Sequence, residues 1–80
     1  MYNIEWSLIS KPTEEIRYNH VTAITPFGGF LITWKGWKPH DSFVVDETPW
    51  GEWYAPFSTL DAAKLACSDE FNRRIKSCSN

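Results

Sequence analysis

Hydrophobic and polar positions alternate through most of this chain and then change to a helical period near its C-terminal quarter. Residues Asn3 to Ile9 alternate loosely, with Ile4, Trp6 and Leu8 on one side and Asn3, Glu5 and Ser7 on the other. That is the period of a half-buried strand. A polar, proline-containing break follows at Lys11–Glu15, and a second strand is expected from about Ile16 to Thr25, where Val21, Thr22 and Ile24 favour β structure. Pro26-Phe27-Gly28-Gly29 reads as a hairpin turn, because proline presets φ and glycine supplies positive φ. Phe30 to Trp37 is the strongest strand signal, with Phe30, Ile32 and Trp34 on one face and Leu31, Thr33 and Lys35 on the other. Gly36 breaks or bulges it. Lys38–Asp41 is a second turn, Ser42–Val45 a short strand, Glu47–Gly51 a third turn and Glu52–Phe57 a last short strand.

The helix carries the clearest signals. Ser58 is a good N-cap residue with Asp61 three positions later, a capping-box-like pattern. At 100° per residue, Leu60, Ala63, Cys67, Phe71, Ile75 and Cys78 share one stripe. Asp61, Asp69, Asn72 and Lys76 fall opposite, and Leu65 lies off the stripe. Asp61 in the first turn and Arg73, Arg74 and Lys76 near the end suit the helix macrodipole.

These elements predict a single α+β domain over residues 1–80. Four to five antiparallel strands (about 3–57) pack one face on one C-terminal amphipathic helix (about 59–77). One helix covers one face only, so the other face is solvated or meets a partner. No internal repeat, low-complexity tract or linker interrupts the chain.

Composition sharpens this picture. A chain of 80 residues buries only about 60% of its unfolded surface, so its core needs large side chains. Five Trp, five Phe and three Tyr supply them. So short a chain struggles to bury Trp6, Trp34, Trp37, Trp50, Trp53, Phe30 and Phe57 together, so exposed aromatic surface is expected, the usual anchor of protein interfaces. A net charge of −2 argues against a dedicated nucleic-acid binder. The N-terminus lacks the pattern of a signal peptide, and no apolar run reaches the length of a membrane span. Cytoplasmic residence and no membrane association are therefore expected. Cys67 and Cys78 stand about 16 Å apart on one helix, too far for a disulfide, so free thiols are expected.

The chemical inventory points away from catalysis. His20 and His40 have no neighbouring nucleophile motif and read as solvated surface. Gly28-Gly29 lacks the remainder of a phosphate loop, and no Cys/His spacing fits zinc. Neither an enzyme nor a cofactor is expected. Asp41, Asp46, Glu47 and Glu52 form a segment of four carboxylates without a basic residue. Their spacing does not match an EF-hand loop. They read as a solvated acidic loop or as a surface for a basic partner, on which carboxylates imitate phosphate spacing. Lys35 and Lys38 beside Trp34 and Trp37 keep a second reading open, a small regulatory module that stacks single-stranded bases.

The stretches TPFGGFLITWKGWK and DETPWGEWYAPFSTLDAAKLACSDEFNRRI resemble short open reading frames of bacteriophages and prophages. There a Trp-rich hairpin precedes an acidic Pro-Trp-Gly turn, a short strand and a helix. The resemblance covers roughly residues 22–76 and extends to small type I anti-CRISPR proteins. It implies a stoichiometric inhibitor in the host bacterial cytoplasm; a monomer or weak homodimer is expected of the chain. Such an inhibitor occupies a DNA-binding surface of a type I CRISPR surveillance complex. On this reading Asp41, Asp46, Glu47 and Glu52 face the partner's basic groove, with Trp37, Trp50 and Tyr54 as anchors.

Overall fold

The computed structural model describes residues 2–35 and 42–78. Its elements are β1 (Asn19–Thr25), β2 (Gly28–Trp34), β3 (Phe43–Thr48), β4 (Gly51–Phe57) and α1 (Leu60–Cys78). The four strands form an antiparallel meander in the order β1-β2-β3-β4, with α1 packed over β3 and β4. The expected α+β architecture is what the chain adopts.

Strand alternation sets the core. Val21, Ala23 and Thr25 of β1 are buried while Thr22 and Ile24 are exposed. The register places Val21 beside Ile32, Ile32 beside Val45 and Val45 beside Ala55, so one row of apolar side chains crosses the whole sheet. Phe30 joins this row's face, and Ala63, Cys67 and Phe71 of α1 close over it. The Phe30 and Phe71 rings meet edge to face at 5.7 Å, a favoured aromatic geometry. The helical stripe read from the sequence is therefore the buried one, although the Cys78 side chain lies outside the described part. Leu65 is exposed, as its position off the stripe requires.

The two hairpin turns are built alike. Thr25-Pro26-Phe27-Gly28 joins β1 to β2, and Thr48-Pro49-Trp50-Gly51 joins β3 to β4. In each the buried threonine hydroxyl donates to the carbonyl of the glycine three residues on. Each glycine adopts positive φ, 130° at Gly28 and 115° at Gly51, which a side chain opposes. This four-residue Thr-Pro-aromatic-Gly unit occurs twice in the chain, too short to count as a structural repeat. The turns are tighter than expected: Gly28 and Gly29 already belong to β2, and Glu47 and Thr48 to β3.

Three local expectations change. The helix cap is Thr59, one residue after Ser58: its Oγ1 accepts from the Ala62 N–H at 3.1 Å, and its carbonyl accepts the first helical bond from Ala63. Asn72 does not face solvent. Its Oδ1 accepts from the Tyr2 N–H at 2.7 Å, and its Nδ2 donates to the Tyr2 carbonyl at 3.1 Å. This pairing ties the N-terminus to the helix and sets the Tyr2 ring on Phe71.

The third change concerns the first expected strand. Residues 3–9 form no regular strand. Ser7 N–H donates to Thr22 O, while Ser10 and His20 exchange two backbone bonds. Three steps on the first segment thus oppose two on β1, so one residue is extra, the count of a bulge. Tyr2, Ile4 and Trp6 stay half-buried on the core, with Trp6 against Phe30 and beneath Lys64. Leu8, expected on the same side, is pushed out of the alternation and is 91% exposed. The core layer therefore has two coverings, α1 over β3 and β4 and the N-terminal strap against Phe30 and Phe71.

Candidate functional site

The face of the sheet turned away from α1 has no element across it among the described residues. Its side chains follow from the register. Thr22 stands beside Leu31, Leu31 beside Glu47 and Glu47 beside Glu52, in one row across all four strands. The next row is His20, Thr33, Val44 and Pro56. Ile24 lies beyond the first row and is 87% exposed.

A bulge in β3 positions the acidic residues. Val45 pairs with Ile32, but Glu47 pairs with Leu31, so Asp46 is an extra residue between them. The same stretch shifts against β4. Without this insertion a strict two-residue alternation would leave Glu47 on the side of Val45. Glu47 and Glu52 come out as direct cross-strand neighbours. Opposed side chains of this kind stand about 4.5–5.5 Å apart at Cβ, and like charges there are destabilising. Glu47, Glu52 and Asp46 make no ion pair among the described residues.

The sequence-derived site residues are thus partly gathered. Asp46, Glu47 and Glu52 come together at the β3–β4 end. They lie on strands, not in an acidic loop, because β3 runs on to Thr48. Asp41 and Trp37 lie outside the described residues, as does His40. Tyr54 belongs to β4, but its side chain lies outside the described part. Trp50 is half-buried in the β3–β4 turn. Phe30 meets its ring at 5.7 Å, Trp53 at 6.1 Å, and the Arg74 guanidinium sits 4.2 Å above it. Trp50 therefore braces the turn against the helix. Glu70 holds Arg74 in place with a 3.0 Å bond while also binding Arg73. The Arg73 hydrogen bond, then its charge, hold the Glu70 carboxyl below the ordinary carboxylate range.

Among the described residues the exposed apolar surface is not tryptophan. The described tryptophans, Trp6, Trp34, Trp50 and Trp53, are all half-buried against the core. Trp50 and Trp53 share the core side, despite their spacing of three, because Trp50 sits in the turn, outside the alternation of β4. The exposed large apolar residues are Leu8, Ile9, Ile16, Tyr18, Ile24, Phe27 and Leu65. Most fall in the N-terminal third, which sequence reading treated as an ordinary strand and break. The only signal that could have flagged them is Leu8-Ile9, two adjacent apolar residues that no single strand face can bury together.

His20 is half-buried and not freely solvated. Its Nδ1 is shut off without a hydrogen-bond partner, and its ring meets the edge of Tyr18 at 6.0 Å. Cys67 is fully buried, and desolvation pushes its thiol up to about 12. Among the described residues no group of three or more His, Cys, Asp or Glu is placed to hold a metal ion. No described helix is long and apolar enough to cross a membrane. A depression lined by Pro12, Thr13, Glu14 and Arg17 is open and shallow. No protein-family model, curated protein or solved structure matches the chain.

Proposed function

We propose that this chain is a non-catalytic binding protein that docks the open face of its sheet, acidic end foremost, on a basic surface of a protein partner. The observation that carries this reading is the cross-strand pair Glu47–Glu52. Like charges directly opposite on a sheet are destabilising, and neither glutamate makes an ion pair among the described residues. A local rule broken without compensation inside the fold is characteristic of a functional surface. A partner arginine between the two carboxylates turns that cost into charge-assisted hydrogen bonds.

The identity of the partner comes from the resemblance over residues 22–76 alone. It makes the partner a type I CRISPR surveillance complex in the bacterial cytoplasm, and the protein a phage-encoded inhibitor. Occupying a basic DNA groove excludes target DNA by sterics and charge, with no bond made or broken. Asp46, Glu47 and Glu52 supply the charge in this reading, and Asp41, Trp37 and Tyr54 flank it in the chain.

The test is capture of the tagged chain from a lysate that contains an active type I system, beside the double variant Glu47→Lys/Glu52→Lys. Stoichiometric recovery of the complex with loss of target DNA binding, abolished by the double variant, is the expected result. Undiminished recovery by the double variant overturns the acidic-face reading. Recovery of a different basic protein in a Glu47- and Glu52-dependent way keeps that reading and removes the CRISPR assignment.

A further inference from the structure

The N-terminal strap is seated on groups far from it in the chain. Its Ser7 and Ser10 make backbone bonds to β1, antiparallel at Ser10, and the Ser7 Oγ accepts from the Thr22 N–H at 3.0 Å. At its other end Asn72 of α1 holds both backbone groups of Tyr2. The Tyr2 ring meets Phe71, and the Trp6 ring meets Phe30. The seat is thus built by β1, β2 and α1, and it takes an extended segment with Tyr at one position and Trp four later. None of these contacts requires that segment to belong to the same chain.

Residues 11–18 reverse the chain between the strap and β1. Their internal hydrogen bonds among the described residues run between Thr13 and Ile16. Pro12 biases Lys11 towards extended backbone. Leu8, Ile9, Ile16 and Tyr18, most of the exposed large apolar residues, lie in or beside this reversal. A concentration of exposed apolar side chains is a mark of a contact surface. The charged residues here are Lys11, Glu14, Glu15 and Arg17. They balance to zero and make no ion pair among the described residues, so two such stretches meet without net repulsion.

We propose that two copies of this chain exchange their straps, so that each seat is filled by the Tyr2–Ser10 segment of the other copy. Residues 11–18 then open from a reversal into an extended crossing. Extended, they reach up to about 26 Å, against 23 Å across the middle dimension of the molecule. Because the strap pairs antiparallel with β1 at Ser10, strap and β1 run on in one direction once the reversal opens. Two such chains pair about a two-fold axis, a closed contact that uses the same surface on both copies. Every bond between strap and seat is kept. The gain over the single chain is the covering of Leu8, Ile9, Ile16 and Tyr18 of both copies where the crossings meet. The exchange is independent of what docks on the open face.

The test mixes isotope-labelled and unlabelled full-length chains, unfolds and refolds them together, and follows mass by light scattering from about 10 μM to about 1 mM. A dimer fraction that rises with concentration is expected. In that dimer the Tyr2–Phe71 and Trp6–Phe30 ring contacts are expected to pass between labelled and unlabelled chains. Leu8→Asp/Ile9→Asp alters exposed positions, so the single chain should melt unchanged while the dimer's dissociation constant rises about tenfold or more. Deletion of residues 11–18 leaves Asn19 alone between Ser10 and His20, fewer than the two residues of the commonest hairpin loops. That variant can fill its seat only in trans and is expected to be dimeric at the lowest concentration. Full-length chains that stay monomeric at about 1 mM overturn the exchange, as does a dimer whose ring contacts stay within one chain. A dimer indifferent to Leu8→Asp/Ile9→Asp, or a deletion variant that is folded and monomeric, also overturns it. Should the deletion variant fail to fold, the labelled full-length mixture decides.

Discussion

On the covered face of the sheet, Val21, Ile32 and Val45 stand in one row, and none of them is exposed. One residue along β1 and β2, and beyond the register shift on β3 and β4, the open face carries Thr22, Leu31, Glu47 and Glu52. The same backbone serves both rows, so the difference between them comes from side chains and from the layers packed outside. On the covered side every large group has a neighbour: Phe30 alone touches Trp6, Trp50 and Phe71. On the open side two glutamates are cross-strand neighbours and an isoleucine stands in solvent. The first row supplies the stability that lets the second remain unsatisfied, and unsatisfied groups are what a partner can complete.

The largest effect that tests this contrast is removal of Phe30. Phe30→Ala is expected to cost about 3–5 kcal/mol, against under about 0.5 kcal/mol for Ile24→Ala on the open face. Denaturant melts of the two variants decide it, and similar losses would mean that the open face is part of the core. The paired turns come next. Gly28→Ala and Gly51→Ala both force a side chain into positive φ, at about 1–3 kcal/mol each. Gly28→Ala is expected to be the worse, because a Cβ there meets Pro49 Cα at 3.1 Å while the space beside Gly51 is open. Equal costs in the same melts would assign the whole effect to backbone strain.

The covering layer depends on its helix cap. Thr59→Ala is expected to lose about 1 kcal/mol and Ser58→Ala close to nothing, a split that thermal melts resolve. On the open face the sign reverses. Glu52→Lys removes a like-charged neighbour of Glu47 and is expected to stabilise the free chain by about 0.2–1 kcal/mol, while weakening partner capture. A variant that melts lower would show that the pair is already neutralised within the molecule. The smallest effect is on Cys67. Burial raises its thiol from 9.0 to about 12, so the folded chain holds its proton longer than the unfolded one. Its contribution is complete below 9.0 and declines as pH rises from there towards 12. Cys67→Ala is expected to flatten that alkaline decline, followed by melts across the range. In mildly alkaline solution a thiol reagent should modify Cys67 only in denaturant.

Much of the architecture was legible in the residues. Val21 stands between polar neighbours, Phe30 and Ile32 share one strand face, and Ala63, Cys67 and Phe71 repeat at helical spacing. Both patterns are local, and the covered face followed from them. The candidate site was legible only in part. Its carboxylates are adjacent in sequence to strand residues and looked like a loop. Their alignment with Leu31 depends on where a bulge falls, which is settled by pairing between distant segments. Trp50 drew attention as an exposed anchor, but Arg74, 24 positions later, lies over it. Leu8 looked buried because its segment alternates, yet the extra residue opposite Val21 turns it out.

What the sequence determined by itself is the helix, the four strands that form, their order and the faces that β2 and α1 bury, because hydrophobic period and turn chemistry act over a few residues at a time. The tertiary structure decided the rest. It set two bulges, the N-terminal strap pinned by Asn72, the bracing of Trp50, and the row that brings Glu47 against Glu52. Each of these is a contact between segments far apart in the chain, chosen by the fit of whole layers and not by any local propensity.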